Sequence, residues 1–221
     1  MLAGLSHYTR ARLADHRPEG RSGLVYDGVD STPTEVAPVT NPRIAPLEPP
    51  YEADVQADFD SLMRGAPPLL LFRTVARNPR VLQRMMAGGL LDRGSISLRQ
   101  RELMILRTCA NCGAEYEWGV HVALFGAKAQ WSPEHIRASV RGGAEDAGWS
   151  ADERLILRLA DQLHASATVD DALWTELARY FADDQLIELI MLAGLYHAVS
   201  FMVNATGVRG EEFAPAFPAE G

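Results

Sequence analysis

The chain has 221 residues, 47% of them hydrophobic and 23% charged, with a formal net charge of −8. That length allows one domain with a sizeable core or two small ones, and the composition is that of a soluble globular protein. An acidic chain without a Lys/Arg cluster argues against a nucleic-acid partner, and two cysteines cannot make a secreted disulfide scaffold. The opening MLAGLSHYTRARLADH lacks the apolar run of a signal peptide, so a cytoplasmic location is expected.

Residues 1–50 hold seven of the 13 prolines and show no helical period. They are expected to form an extended Pro-rich arm, laid over a neighbouring subunit or free as a terminus. Residues 51–221 are expected to form one all-α domain, because no alternating run is long enough for a strand. The period predicts helices at 52–64, 68–77, 79–92, 97–112, 114–129, 133–141, 151–166, 169–181 and 184–205. Ser97 with Gln100, and Ser150 with Glu153, read as capping boxes. Ser132-Pro133 reads as a cap and first helical residue, and Pro79 opens a helix after Asn78. Gly142-Gly143 and Gly207 read as stops.

The last helix, LIELIMLAGLYHAVSFMVNA, has about the length that spans a bilayer. It carries Glu188, His197 and Asn204 and has no basic flanks, so it reads as a buried core helix with no membrane partner. LRQRELMILRTCA echoes DDQLIELIMLAGL when Glu102 is set against Glu188. A duplicated helical hairpin and two buried helices of similar composition both account for the echo.

The chemistry concentrates in SLRQRELMILRTCANCGAEYEWGVH. On a helical wheel Leu98, Glu102, Ile105, Cys109 and Cys112 share one stripe, so Glu102 lies on the apolar face. A buried carboxylate needs a partner. After the break at Asn111-Cys112-Gly113, Glu117 and His121 stand four apart on one face of the next helix. Antiparallel packing across the short connection would bring His121 to Glu102. The carboxylate would then fix the ring tautomer and raise its basicity, with Glu117 as a second acid. A structural core pair would have the same spacing. Two ligands are too few for a metal, and none is expected. Cys109-Ala-Asn-Cys112 falls at a helix C-terminus, where the dipole disfavours a thiolate. Both cysteines therefore read as core residues, with a redox pair as the alternative.

NPRVLQRMMAGG, SLRQRELMILR, CGAEYEWGVH and QLIELIMLAGLYHAVSFMVNATGV together resemble the carboxymuconolactone decarboxylase family, in its YEW-x-x-H form, within the alkylhydroperoxidase D-like superfamily. The resemblance covers about residues 52–210. It implies an alkylhydroperoxidase D-like helical fold, a homo-oligomer (trimer or hexamer) and a site between helices. The peroxidase branch has a glutamate, eleven residues, Cys-x-x-Cys, three residues and a histidine. Glu102 and His121 stand at that spacing, but the cysteine positions fall on Ala114 and Glu117. The redox pair of that branch is absent from its place. The decarboxylase branch uses no thiol and no cofactor.

The expected activity is therefore cofactor-independent acid–base chemistry of a lyase or decarboxylase kind. Its substrate would be a small organic acid or cyclic carbonyl compound, and its reaction decarboxylation, lactone opening or isomerisation. His121, Glu102 and Glu117 are the expected catalytic residues. Tyr116, Trp118, Cys112, His197 and Asn204 are candidates for contact with substrate. Two alternatives stand beside this: a thiol-dependent hydroperoxide reductase using Cys109 and Cys112, and a non-catalytic oligomeric helical protein that binds a small ligand.

Overall fold

The computed structural model describes residues 42–146 and 148–219, so most of the expected Pro-rich arm lies outside the described residues. Among those described there are nine helices and no strand, and each helix falls where the sequence predicts one. They are α1 (Ala53–Met63), α2 (Leu70–Val75), α3 (Pro79–Ala87), α4 (Leu98–Asn111), α5 (Glu115–Phe125), α6 (Pro133–Arg141), α7 (Ala151–Ser166), α8 (Asp171–Tyr180) and α9 (Asp183–Thr206).

The ends are set by local chemistry. The Gln100 N–H donates to Ser97 Oγ at 3.2 Å, and the Ser97 N–H donates to Gln100 Oε1 at 2.9 Å, closing the box at the start of α4. At α7 the Ser150 N–H donates to Glu153 at 2.9 Å, while the Ser150 hydroxyl turns to Asp152. Two further caps have weaker sequence signals. Asp170 accepts from the Leu173 N–H at 2.7 Å, and the Ala182 N–H donates to Gln185 at 3.0 Å. α3 stops five residues before the predicted end because Gly88 and Gly89 follow, and α5 stops at Gly126, where the chain turns back toward Trp131. Gly207, at φ +67°, closes α9 in the left-handed region, which suits glycine.

α4 is the central helix. It packs against α5, α6, α7 and α9, and Leu103, Met104, Ile105, Leu106 and Cys109 are all buried. Its polar residues are engaged rather than solvated. Arg99 pairs with Glu153 at 2.5 Å, Gln100 donates to Asp152 at 2.9 Å, and Arg107 forks onto Asp161 at 2.6 and 3.0 Å. These contacts stitch α4 to α7 in register, and the Arg107 fork has the planar fit that ammonium groups lack.

α9 is long and apolar enough to cross a membrane by length and composition. Here one face, with Leu186, Leu189, Leu192, Tyr196, Val199 and Val203, is buried in the core. Ile187, Met191 and Phe201 remain exposed. Glu188 accepts from the Ser95 N–H and hydroxyl at 2.6 and 2.5 Å, fixing the loop that leads into α4. Its surroundings therefore differ from those of Glu102, against which the sequence echo sets it.

Two irregular segments lie against the helices. Residues 42–50 are held by the Arg43 N–H on Thr206 O at 2.7 Å and by Arg73 Nε on Leu47 O at 2.7 Å. Residues after α9 return over α5: Phe217 meets the Trp118 ring at 5.3 Å, and its N–H donates to Glu115 at 2.8 Å. Gly119 permits this crossing, because a Cβ there would lie 2.3 Å from the Pro215 carbonyl oxygen. Helix propensity alone would favour alanine at Gly119 by about 1 kcal/mol. The clash is with backbone, however, so Gly119→Ala is expected to destabilise the protein by about 1–3 kcal/mol net, the usual cost of overpacking. Thermal unfolding measures this, and an unchanged or higher Tm would contradict the stated packing of the tail.

Candidate active site

α4 and α5 bring Glu102 and His121 together across their short connection. Glu102 is 1% exposed and His121 4% exposed, and His121 Nδ1 lies 2.7 Å from Glu102 Oε2. The other carboxylate oxygen, Oε1, accepts from Arg101 Nε at 2.9 Å and Nη2 at 2.8 Å. Arg101 is itself buried, and its Nη1 donates to the Leu91 carbonyl at 2.6 Å. The carboxylate therefore sits between a guanidinium and an imidazole. Leaving a buried charge without its partner typically costs about 3–5 kcal/mol, so these groups are interdependent.

The other side of the ring is equally occupied. Tyr196 of α9 places its hydroxyl 3.0 Å from His121 Nε2, and Glu117 Oε1 lies 3.4 Å from the same nitrogen. Phe125 and Tyr196 flank the ring at 5.3 and 5.1 Å between centroids. Burial by itself would depress the histidine pKa. The Glu102 and Glu117 carboxylates outweigh it and hold the ring at about 9, so it is an imidazolium at neutral pH. The imidazolium donates from Nδ1 to Glu102, and its Nε2–H faces Tyr196 Oη and Glu117. Burial, followed by Glu117, pushes the Tyr196 phenol well above its ordinary range, which keeps it protonated.

Glu117 is the member of this group that reaches open space. It lines a cavity of about 570 Å³ with Leu62, Phe72, Met85, Met86, Leu195 and Val199. Arg64 and Asp92 add charge to the same wall. Arg64 ends α1 in the left-handed region, at φ 53°, which turns the chain at the rim of that wall. The cavity is thus mostly apolar, with a carboxylate backed by an imidazolium and a guanidinium elsewhere on its lining.

The remaining candidates are placed elsewhere. The Tyr116 hydroxyl accepts from the Leu71 N–H at 3.1 Å and donates to Glu211 at 2.7 Å, so its polar end serves the fold. Trp118 is buried and its Nε1–H donates to Ser139 Oγ at 3.0 Å, on the side of α6 and the tail. Asn204 donates to the Cys112 carbonyl at 2.8 Å, and His197 faces His164 at 3.1 Å. None of Tyr116, Trp118, Cys112, His197 and Asn204 lines the cavity that Glu117 enters. Seven residues of separation on α9 put His197 and Asn204 on one face, but that face meets the ends of α4 and α7 instead. Both thiols are free. Burial, with Glu117 next, pushes Cys109 well above the usual thiol range, and burial raises Cys112 as well.

Arg101 and Tyr196 are the members that spacing does not identify. Arg101 adjoins Glu102 in sequence, where helical geometry ordinarily separates side chains. Its guanidinium curls back along the stripe because the buried carboxylate needs a cation. Tyr196 lies 75 residues from His121, and only the packing of α9 on α5 joins them.

Residues 79–162 match the model of the Carboxymuconolactone decarboxylase family. Two crystal structures share its fold at low identity. One is an uncharacterized peroxidase-related protein from Silicibacter sp. TM1040, with a TM-score of 0.68, 18% identity, and coverage of 81% of this chain and 96% of that one. The other is an uncharacterized peroxidase-related protein from Ralstonia eutropha JMP134, described as an alkylhydroperoxidase AhpD core, with a TM-score of 0.65, 19% identity, and coverage of 76% and 93%. A variant of the debrominase Bmp8 in complex with 2,3,4-tribromopyrrole is also similar, with a TM-score of 0.62, 15% identity, and coverage of 79% and 94%. No curated protein matches the chain in sequence. The all-helical alkylhydroperoxidase D-like fold expected from the sequence is the fold observed.

His121 makes the site titratable in a measurable window. Its folded pKa of about 9 lies above its ordinary 6.5, so its contribution to stability is complete below about pH 6.5 and is lost as pH rises through about 9. Glu102→Gln removes the nearer carboxylate partner and is expected to lower the His121 pKa toward its ordinary value. NMR titration of the imidazole measures both values, and a pKa near 6.5 in the unsubstituted protein would contradict the charge state assigned here.

Proposed function

We propose that the protein is a cofactor-independent enzyme that moves protons at carbon next to a carbonyl group. The reaction is decarboxylation, lactone opening or isomerisation of a small organic acid or cyclic carbonyl compound. The observation that carries the reading is the position of Glu117, which lines the apolar cavity and also faces the His121 imidazolium. Glu117 is therefore the carboxylate of the group that a bound substrate would meet, and it serves as the base. His121 stands behind it as a proton store, and Glu102 with Arg101 orients the ring. The sequence points to His121 as general base or acid and to Glu117 as a second acid; burial of the ring and exposure of Glu117 to the cavity favour Glu117 as the group that meets substrate.

The chemistry balances in either direction. In isomerisation Glu117 takes a proton from carbon, leaves an enolate, and returns the proton to a second carbon. In decarboxylation the departing carbon dioxide leaves an electron pair on carbon, and the proton passes from His121 through Glu117 to that carbon. Solvent then reprotonates the ring. The Arg64 guanidinium supplies a cation for a substrate carboxylate or a developing oxyanion. An apolar lining keeps the charges strong by limiting water.

The names of the structural relatives bring the thiol-dependent hydroperoxide reductase forward as the second reading. Against it stand Ala114 and Glu117 at the two cysteine positions, and two thiols whose pKa is raised rather than lowered. The assay is deuterium incorporation, or carbon dioxide release, from a panel of small unsaturated lactone acids and 3-oxo acids. Glu117→Gln is expected to reduce turnover about 10²–10⁴-fold, the range for loss of a positioned proton-transfer group, while Cys109→Ala leaves it unchanged. Full turnover in Glu117→Gln would refute the acid–base assignment. Hydroperoxide turnover abolished by Cys109→Ala would establish the thiol reading instead, and saturable binding without exchange would indicate a ligand-binding protein.

We also propose that the chain self-associates through the exposed face of α9. Ile187, Met191 and Phe201 are each more than 60% exposed there, a concentration of apolar surface that a solitary chain rarely carries. The resemblance implies a closed trimer or hexamer. Sedimentation velocity is expected to show one such species, and Met191→Lys to shift it toward monomer. A monomer at every concentration would overturn the assignment.

A further inference from the structure

Three helices converge away from the Glu117 cavity and bring together Cys112, His164 and His197. Cys112 caps α4, His164 lies in the last turn of α7, and His197 lies in the second half of α9. Their candidate ligand atoms all lie within 4.8 Å of one another. His164 Nδ1 is 3.1 Å from His197 Nε2 and 3.8 Å from Cys112 Sγ. A tetrahedral zinc ion, with Zn–N of about 2.05 Å and Zn–S of about 2.3 Å, requires N···N of about 3.3 Å and N···S of about 3.6 Å. The observed separations are within a few tenths of an ångström of that requirement before any ion is introduced.

We propose that Cys112, His164 and His197 form a binding site for a divalent cation of the zinc class, with one tetrahedral position left for water. Thiolate plus imidazole is the donor set that zinc prefers over magnesium or calcium. His197 Nδ1 is 2.9 Å from the Ala193 carbonyl, which fixes the proton on that nitrogen and leaves the Nε2 lone pair toward the cluster. The Cys112 backbone is held by Asn204, whose Nδ2–H donates to its carbonyl at 2.8 Å. His164 is exposed, so its Nε2 can carry the ring proton in contact with water while Nδ1 turns its lone pair inward. The C-terminal ends of α4 and α7 both meet here, and their carbonyl ends favour a cation. Asp161, one turn before His164, adds a negative charge nearby.

A plain hydrogen bond between the two imidazoles would account for the 3.1 Å contact, but it gives no use to the thiol beside them. The two readings separate experimentally. The full chain is titrated with Zn2+ by calorimetry and with Co2+ by absorption. The expected result is one ion per chain, a thiolate-to-cobalt charge-transfer band, the intense visible bands of a tetrahedral site, and a higher Tm with Zn2+. Cys112→Ser should remove the charge-transfer band. His164→Gln, at an exposed position where folding is least at risk, should weaken binding at least about tenfold, since even outer-shell changes at metal sites cost that much. His135→Ala, which removes the capping contact to Ser132 and so lowers the metal-free Tm, serves as the control for incidental histidine binding and should leave zinc stoichiometry, zinc affinity and the charge-transfer band unchanged. Absence of the charge-transfer band, or undiminished zinc affinity in His164→Gln, would overturn the proposal.

Discussion

The buried Glu102 carboxylate is the constraint to which the rest of the site responds. A single negative charge at 1% exposure in the middle of an apolar helix has to be met, and it is met from two directions. Arg101 forks onto one oxygen and His121 takes the other. The first contact cancels the charge, while the second converts an ordinary imidazole into a strong base that holds its proton at neutral pH. Tyr196 and Glu117 then close around the ring because the imidazolium has one more N–H to place. The chain of polar contacts runs outward from α4 to the cavity, through Glu102, His121 and Glu117.

This order also separates carboxylate from sulfur chemistry on one scaffold. A thiol at the place of Glu117 would face the same imidazole and would be activated by it. A carboxylate in that place, as in this chain, can exchange protons without changing oxidation state. The two cysteines present lie instead on the last turn of α4 and at its cap, where burial suppresses the thiolate of Cys109. A fold shared with peroxidase-related proteins therefore carries a site whose groups suit proton transfer.

The helical architecture was largely legible in the sequence because its signals are local. Capping boxes at Ser97 and Ser150, the cap at Ser132, proline after Asn78 and glycine at Gly207 each act within a few residues. The pairing of Glu102 with His121 was legible for a related reason: both lie within one helix-turn-helix, so periodicity and a short connection bring them together. Tyr196 and the cavity were not, since α9 and α3 reach them from far along the chain. Arg101 was hidden by its adjacency to Glu102, because wheel geometry points neighbouring residues apart and only the flexible arginine stem brings the charge back. Tyr116 and Trp118 also meet Glu211 and Phe217 in a tail whose path has no periodic signature.

That tail gives α5 an unusual standing among the helices. Glu115 holds the Phe217 backbone, Tyr116 holds Glu211, Glu117 faces the cavity, Trp118 packs on Phe217, and Gly119 clears Pro215. Five consecutive positions thus each have a neighbour to satisfy, and further along the same helix His121 and Phe125 are tied to the buried charge. Substitution without penalty is confined to the outward edge at Ala123 and Leu124. A mutational scan of this helix would trace the candidate site and the tail together as one intolerant block, and any drift in the tail's sequence would have to be matched by drift in α5.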